Sequence, residues 1–213
     1  MKKLLTVLSI CIATISAAQP GDRFTQAMKR NMAAFDTAFA RTESLVNLSN
    51  SFERIAMAEK TQWLPYYYAA FCQVNYAFME QDKSKTDAIA DKADQLIRVA
   101  DSLMPNQSEI SCIRSMIASA RLMVNPMQRY MQYGQESEQH LRNAMAQDSS
   151  NPRPYYLKGQ ALKYTPEQFG GGCKAAKEFL QTAMDKYAGF VPASELHPAW
   201  GKPQVERLMK ECQ

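Results

Sequence analysis

The sequence predicts an all-α fold built from about four stacked helix pairs and a short C-terminal helix. The first observation is a recurring pattern in which a small or apolar residue is followed by a large apolar residue four positions later and another small or apolar residue three after that. It begins at Leu48, Ala93, Ser137 and Ala176, with spacings of 45, 44 and 39 positions. That period is typical of helical repeats. The second observation is that helical periodicity covers nearly all of the chain after the first residues.

The first eighteen residues predict a cleaved secretory signal. Lys2 and Lys3 precede an apolar run over 4–15, and small residues follow at 16–18. The run is too short to cross a hydrocarbon layer of about 30 Å. A lipoprotein signal ending at Cys11 is the alternative, but Ile10 stands where that motif needs a small residue. We therefore expect 1–18 to be removed, leaving 19–213 as one domain in a periplasmic or secreted protein.

The charge of the mature chain argues against nucleic acid as a partner. Without Lys2 and Lys3, 23 basic and 21 acidic residues remain, a formal charge of +2. Such a small excess creates no strong basic field. Later segments lack the roughly 20 consecutive apolar residues of a membrane span, so we expect no span in the mature protein. The sequence does not indicate an oligomeric state.

Apolar stripes and prolines predict the first four helices. One face of the first helix carries Phe24, Met28, Met32, Phe35 and Phe39. The pattern beginning at Leu48 lies on the second helix. Leu64-Pro65 opens the third, because proline suits a first helical turn, and the fourth covers about 85–104.

Capping and turn residues predict the remaining helices. Ser108 is a good N-cap for the fifth, and Asn125-Pro126 precedes the sixth. Pro154 opens the seventh after a polar turn, and Pro203 starts a short last helix. The eighth follows Gly170-Gly171-Gly172, which predicts a tight turn with Phe169 in the core.

The fourth helix resembles the second helix of a tetratricopeptide repeat. Ala93, Ile97, Ala100 and Pro105 fit the four positions of that motif. The first helix of such a repeat carries an aromatic residue followed four positions later by a small one. Two pairs match this feature: Tyr155 with Gly159, and Tyr66 with Ala70. The resemblance implies a tetratricopeptide-like superhelix, with loops longer than those of the usual 34-residue repeat.

Most of the mature chain also resembles exported tetratricopeptide-like proteins common in Bacteroidota. The similarity lies in the segments 63–68, 151–154, 165–172 and 198–201. It implies fold and compartment, because that family has no agreed biochemical activity. The Phe-Gly-Gly turn at 169–171 is similar to one in helical proteins that accompany periplasmic solute-binding transport systems.

The tetratricopeptide resemblance also implies a concave binding groove. Residues one, five, eight and nine positions after the motif tyrosine face that groove in the family. The corresponding residues here are Tyr156, Gln160, Lys163, Tyr164, Tyr67, Phe71, Val74 and Asn75. Tyrosine suits a binding wall because its ring adds apolar area and its hydroxyl keeps a polar group. The alternative is that these side chains only pack between helices.

Four cysteines follow the signal segment, so three complete disulfide pairings are open. An oxidising compartment permits such bonds. We prefer Cys173 with Cys212, which would fasten the last helix to the base of the eighth. Cys72 and Cys112 are equally compatible with buried thiols.

Catalytic and metal-binding patterns are sparse. Glu136 and His140 lie four apart on one helix face, but no third metal ligand is suggested, so a surface pair is expected. Glu195 and His197 lie in a connector. The glycine run at 170–172 lacks the following Lys-Ser/Thr of a phosphate-binding loop. We therefore predict no catalytic residues, no cofactor and no metal.

These observations favour an exported, non-enzymatic scaffold or binding module that presents a concave groove to a protein or peptide. The alternatives are a periplasmic small-molecule-binding accessory of a transport system, or an enzyme with a tyrosine-lined pocket. An open, shallow groove would favour the scaffold, whereas a deep cavity with convergent charged groups would favour the alternatives.

Overall fold

A computed structural model describes residues 21–213, and this part of the chain is helical with no strands. The predicted signal segment, including Cys11, lies outside the described residues. The α-helices are α1 Asp22–Ala33, α2 Phe35–Ala38, α3 Thr42–Ala58, α4 Trp63–Met79, α5 Thr86–Leu103, α6 Ser108–Leu122, α7 Pro126–Arg129, α8 Gln135–Gln147, α9 Arg153–Tyr164, α10 Cys173–Gly189 and α11 Lys202–Glu211. A π-helical turn, Tyr130–Gly134, joins α7 to α8, and short 3₁₀ turns precede α5 and α10. The all-α prediction is confirmed.

The helices pack in two rows. Within the array, α4 packs on α5, α6 on α8, and α9 on α10. The first members of these pairs, α4, α6 and α9, contact one another in order and form one row. The second members form the other row, and α3 extends it by packing on α4. One continuous apolar core lies between the rows.

The recurring sequence pattern forms the contact between paired helices. Ala93, Ile97 and Ala100 of α5 are fully buried. Small residues allow the helices to approach closely. A Cβ atom added at Gly159 of α9 would lie 2.7 Å from the Leu180 side chain of α10, well inside van der Waals contact.

The first predicted helix is broken at Ala34, between α1 and α2. The break allows the Phe35 ring to join the core, with ring centroids 5.8 Å from Phe52 and 5.6 Å from Phe71. The stripe that predicted one helix is therefore divided between α1 and α2, and its last residue, Phe39, follows α2 and is 42% exposed.

The polar residues at the starts of α6 and α7 have different roles. Asn125 caps α7, because its Oδ1 accepts a hydrogen bond from the Gln128 N–H at 3.3 Å. The predicted cap at Ser108 is wrong. Ser108 is the first residue of α6, and its hydroxyl donates to the Ala144 carbonyl at 2.8 Å instead.

The glycine run before α10 forms a tight turn. Gly170 and Gly172 have φ of 83° and 89°, a region that side chains disfavour. A Cβ atom at Gly171 would lie 2.0 Å from the Thr165 carbonyl oxygen. Phe169 is 62% exposed, so its predicted place in the core is wrong. The positive φ angles at Gly170 and Gly172 and the close approach at Gly171 explain why this turn uses glycine.

Among residues 21–213, none of the helices has the length and apolar character needed to cross a membrane.

Candidate functional site

The predicted groove residues lie on the row formed by α4 and α9, and most of them are covered. Tyr67, Phe71, Val74 and Tyr156 are buried. Gln160, Lys163 and Asn75 are partly buried, and Tyr164 is exposed. We call this surface the inner face. The structure places the groove set mostly in the interior rather than along an open channel.

The cover is the segment 190–201, which we call the C-terminal strap, between α10 and α11. The Trp200 ring stacks on Phe71 at 4.9 Å between centroids, and its Nε1 donates to Tyr67 Oη at 2.8 Å. Tyr68 Oη donates to the Leu196 carbonyl at 2.9 Å. These contacts join α4 to residues about 130 positions later, so the strap closes the inner face with the protein's own chain.

A buried ion pair holds the centre of the inner face. Arg153 Nη1 donates to Glu109 Oε1 at 2.7 Å, and the Arg153 side chain is fully buried. Asn151 donates to the same carboxylate at 2.8 Å, and Arg153 Nη2 donates to the Pro198 carbonyl of the strap. The guanidinium also lies over the Trp200 ring, 5.3 Å from its centroid. Within the described residues, Arg153 Nε has no hydrogen-bond partner.

Burial sets the protonation behaviour of this cluster. Desolvation raises the pKa of Glu109, and the positive charge of Arg153 opposes that rise. Desolvation also raises the pKa of Tyr67, with Glu109 adding to the effect, and it raises the pKa of Tyr156 to about 12. Arg153, Asn151 and Tyr67 all donate hydrogen bonds to the Glu109 carboxylate, so this buried acidic group is partnered within the protein.

An open cleft lies elsewhere, between α1 and α3. Its volume is about 470 Å³. Phe24 and Ala27 of α1 and Ile55 and Ala58 of α3 supply apolar wall. The complete lining is Arg23, Phe24, Ala27, Arg30, Asn31, Ser51, Arg54, Ile55, Ala58 and Glu59.

Three arginines surround this cleft. Arg23, Arg30 and Arg54 are exposed, and none pairs with a carboxylate of a described side chain. Arg54 Nη2 donates to Ser51 Oγ at 2.7 Å, which orients its guanidinium along α3. Glu59 is the single acidic residue of the lining. The cleft therefore combines an apolar wall with an excess of positive charge.

These arginines were not among the residues that the sequence predicted for a site. Arg23, Ala27 and Arg30 follow the spacing of one helix face and flank the apolar stripe of Phe24 and Met28. That signal identifies a basic edge on α1. It does not identify α3 as the opposing wall, because the contact between α1 and α3 is tertiary.

A smaller polar hollow of about 200 Å³ includes Glu136 and His140. His140 Nε2 lies 3.7 Å from Glu136 Oε1, and burial lowers the pKa of His140. The facing arginines already pair with acids, Arg98 with Asp94 and Arg114 with Asp101. Within residues 21–213, no three His, Cys, Asp or Glu side chains are placed to hold a metal ion.

The cysteines divide into two kinds. Cys173 and Cys212 are joined by a disulfide, with Cα atoms 5.1 Å apart, which fastens α11 to the start of α10. Cys72 and Cys112 are buried free thiols, and burial raises the pKa of both.

Comparison with known proteins identifies a close structural match. No protein-family profile matches the sequence, and no curated protein matches it. The solved structure of the HusA haemophore from Porphyromonas gingivalis superposes with a TM-score of 0.81 at 37% sequence identity. The match covers 92% of this chain and 96% of that one. At this identity over almost the whole length of both chains, the protein belongs to the same family as the HusA haemophore.

Proposed function

We propose that the protein is a non-enzymatic carrier that binds haem in the cleft between α1 and α3. Its relative is a haemophore, a protein that binds haem. The observation that carries the proposal is the set of three arginines beside an apolar wall, none of which pairs with a carboxylate among the described side chains.

The size and wall of the cleft suit a flat apolar ring. Small-molecule sites typically occupy about 300–1,000 Å³, and this cleft has about 470 Å³. Ala27 of α1 and Ile55 and Ala58 of α3 offer apolar area beside the buried Phe24, so a ring lying on this wall would lose contact with water on the face that it turns to the protein. Burial of such a surface contributes roughly 25 cal/mol per Å² before the costs of association.

The charges suit the two propionates of haem. Arg23, Arg30 and Arg54 carry three positive charges, and Glu59 carries one negative charge, so the lining has a net charge of +2. Guanidinium groups bind carboxylates through paired hydrogen bonds. Two propionates would balance that charge.

The ring, rather than the iron, would supply most of the binding energy. His, Cys, Met and Tyr are the usual axial ligands of haem iron, and the described lining contains none of them. Protoporphyrin without iron is therefore expected to bind about as tightly as haem.

The sequence-based predictions of repeat type and compartment fit this proposal. We infer a tetratricopeptide-like array, supported by the buried Ala93, Ile97 and Ala100 and by the close approach of Gly159 to Leu180. We place the mature carrier in the periplasm or outside the cell, as the pattern of residues 1–18 suggests. A protein or peptide on the inner face is the weaker proposal, because the strap covers most of that face.

Haem titration of purified protein, followed by absorbance, tests the cleft. Replacing both Arg30 and Arg54 by alanine should weaken haem binding on the order of a hundredfold, since each removes a hydrogen bond to a charged group. Unchanged affinity in the folded double variant would refute the site.

The control is Arg142→Ala, an exposed arginine of α8 that pairs with Glu138 and lies outside the cleft. It should bind haem like the unmodified protein. A porphyrin dimethyl ester should bind weakly to the unmodified protein and lose little further affinity in the double variant. Equal binding of ester and free acid would refute the role of the propionates.

A further inference from the structure

A group of exposed methionines lies between α6 and α8, away from the proposed haem cleft. Met123, Met127 and Met131 are spaced four residues apart and are 49%, 84% and 70% exposed. Met123 ends α6, Met127 lies in α7, and Met131 lies in the π-helical turn. We call these three residues the methionine ridge.

The clustering is unusual for methionines on a surface. Among the described residues, five methionines are strongly exposed, and the ridge contains three of them within nine positions. The other two, Met57 and Met104, lie on separate helices. Single exposed apolar residues need no explanation, but a contiguous group does.

The local backbone places Met127 and Met131 one above the other along a single helical path, which is α7 followed by the π-helical turn. Residues four apart on a helix have Cβ atoms about 5–6 Å apart. Met127 and Met131 have this spacing across α7 and the following turn, and α7 packs against α6, whose C-cap residue is Met123. Each side chain has three rotatable bonds, so the thioethers can converge on one ion. Turns of π-helix also occur frequently at functional sites.

We propose that the methionine ridge binds a soft monovalent cation, Cu(I), through its thioether sulfurs. Thioethers are soft ligands that select Cu(I) over harder ions. In an exported protein they have a further advantage, because they do not form disulfides as thiols do.

Nearby positive charges do not oppose a cation at the ridge, because each is neutralised. Arg129 makes two hydrogen bonds to Asp87, at 2.7 and 2.8 Å, and Arg121 pairs with Asp91 at 2.7 Å. Both guanidinium groups also lie near the ring of Tyr133, at 5.7 and 5.9 Å from its centroid.

The cysteines do not compete for the ion. Cys72 and Cys112 are fully buried, and burial raises the pKa of both thiols, so the thiolate forms that bind metals are disfavoured. Cys173 and Cys212 are joined in a disulfide. Within the described chain, the ridge is therefore the richest source of accessible sulfur ligands.

The test is a titration with Ag(I), a redox-inert probe for Cu(I), of protein labelled with ¹³C at the methionine methyl groups. One equivalent of Ag(I) should move the resonances of Met127 and Met131 and leave Met57, which is 67% exposed, in place. The double variant Met127→Leu/Met131→Leu should bind Ag(I) at least roughly tenfold more weakly. Mutating a residue that only orients a metal ligand already lowers metal affinity about 10–100-fold, and this variant removes two of the ligands themselves. The matched control, Met57→Leu, should keep the affinity.

Three outcomes would overturn the proposal. The first is that Ag(I) leaves the Met127 and Met131 resonances unmoved. The second is that the double leucine variant retains the affinity. The third is that Met57 moves as much as the ridge, which indicates unspecific thioether binding. The haem proposal is tested separately, because the Arg30→Ala/Arg54→Ala variant should keep full Ag(I) binding.

Discussion

The inner face and the α1–α3 cleft differ in whether their polar and charged side chains are already paired with other groups of the protein. On the inner face, Trp200 and Arg153 of the chain itself fill the space beside Tyr67, and nearly every polar atom there has a partner. In the cleft, Arg30 and Arg54 line an open volume without carboxylate partners from the described side chains. The aromatic residues of the inner face therefore belong to a well-packed core, whereas the arginines of the cleft, which lack carboxylate partners among the described side chains, are the groups on which the proposed binding site depends.

The largest expected effect on stability comes from a variant that breaks the buried ion pair of the inner face. Arg153→Met should lower the free energy of unfolding by about 3–5 kcal/mol, because it leaves the buried Glu109 without its charge partner. Chemical denaturation measures the change. The double variant Arg153→Met/Glu109→Gln should recover part of the loss, since no unpaired charge then remains.

The exposed control Arg142→Ala should change stability by no more than about 0.5 kcal/mol. If the folded Arg153→Met protein kept its stability but lost haem binding, the distinction would be wrong. The inner face would then be the haem site, and the α1–α3 cleft would not.

A second variant removes the disulfide that joins the start of α10 to the end of α11. Replacing Cys173 and Cys212 by serine should lower stability by about 2–4 kcal/mol, because the crosslink constrains the unfolded chain. Haem affinity should stay unchanged, since the disulfide lies on α10 and α11 rather than in the cleft. Mass spectrometry of the unreduced protein checks the bond itself, and free thiols at both positions would contradict it.

Much of the fold was predictable because its signals are local. The pattern at Ala93, Ile97 and Ala100 identifies a buried helix stripe, and prolines mark where α4, α9 and α11 begin. The break at Ala34 was not predictable, because it depends on the packing of Phe35 against Phe52, which lies in another helix.

The site was harder to predict because it depends on distant contacts. The motif positions predicted that Tyr67 and Tyr156 face a groove, but the sequence does not show that Trp200 packs over this part of the molecule and that both rings are buried. The wall of the cleft likewise joins Arg30 to Arg54 across two helices. Local periodicity specifies which residues are buried in a helix, but not which later segment lies against them.

The smallest expected effect is a loss of stability in acid that arises at the strap. His197 packs against the Trp63 ring, with centroids 5.8 Å apart, and its Nδ1 shares a 2.7 Å hydrogen bond with Ser194 Oγ. Burial lowers the pKa of His197 below its usual range. The unfolded chain therefore takes up a proton first as the pH falls through about 6.5, and folding stability decreases from there down to the lowered pKa.

Because His197 is only half-buried, solvent screening limits its share to under about 0.5 kcal/mol. His140, whose pKa burial also lowers, adds to the same trend. Thermal unfolding between about pH 7.5 and about pH 5.5 measures the slope around the usual histidine pKa, and His197→Asn should flatten it. If thermal stability falls with pH as steeply in His197→Asn as in the unmodified protein, the strap contributes nothing to the acid sensitivity. The loss would then arise in the helices outside the strap.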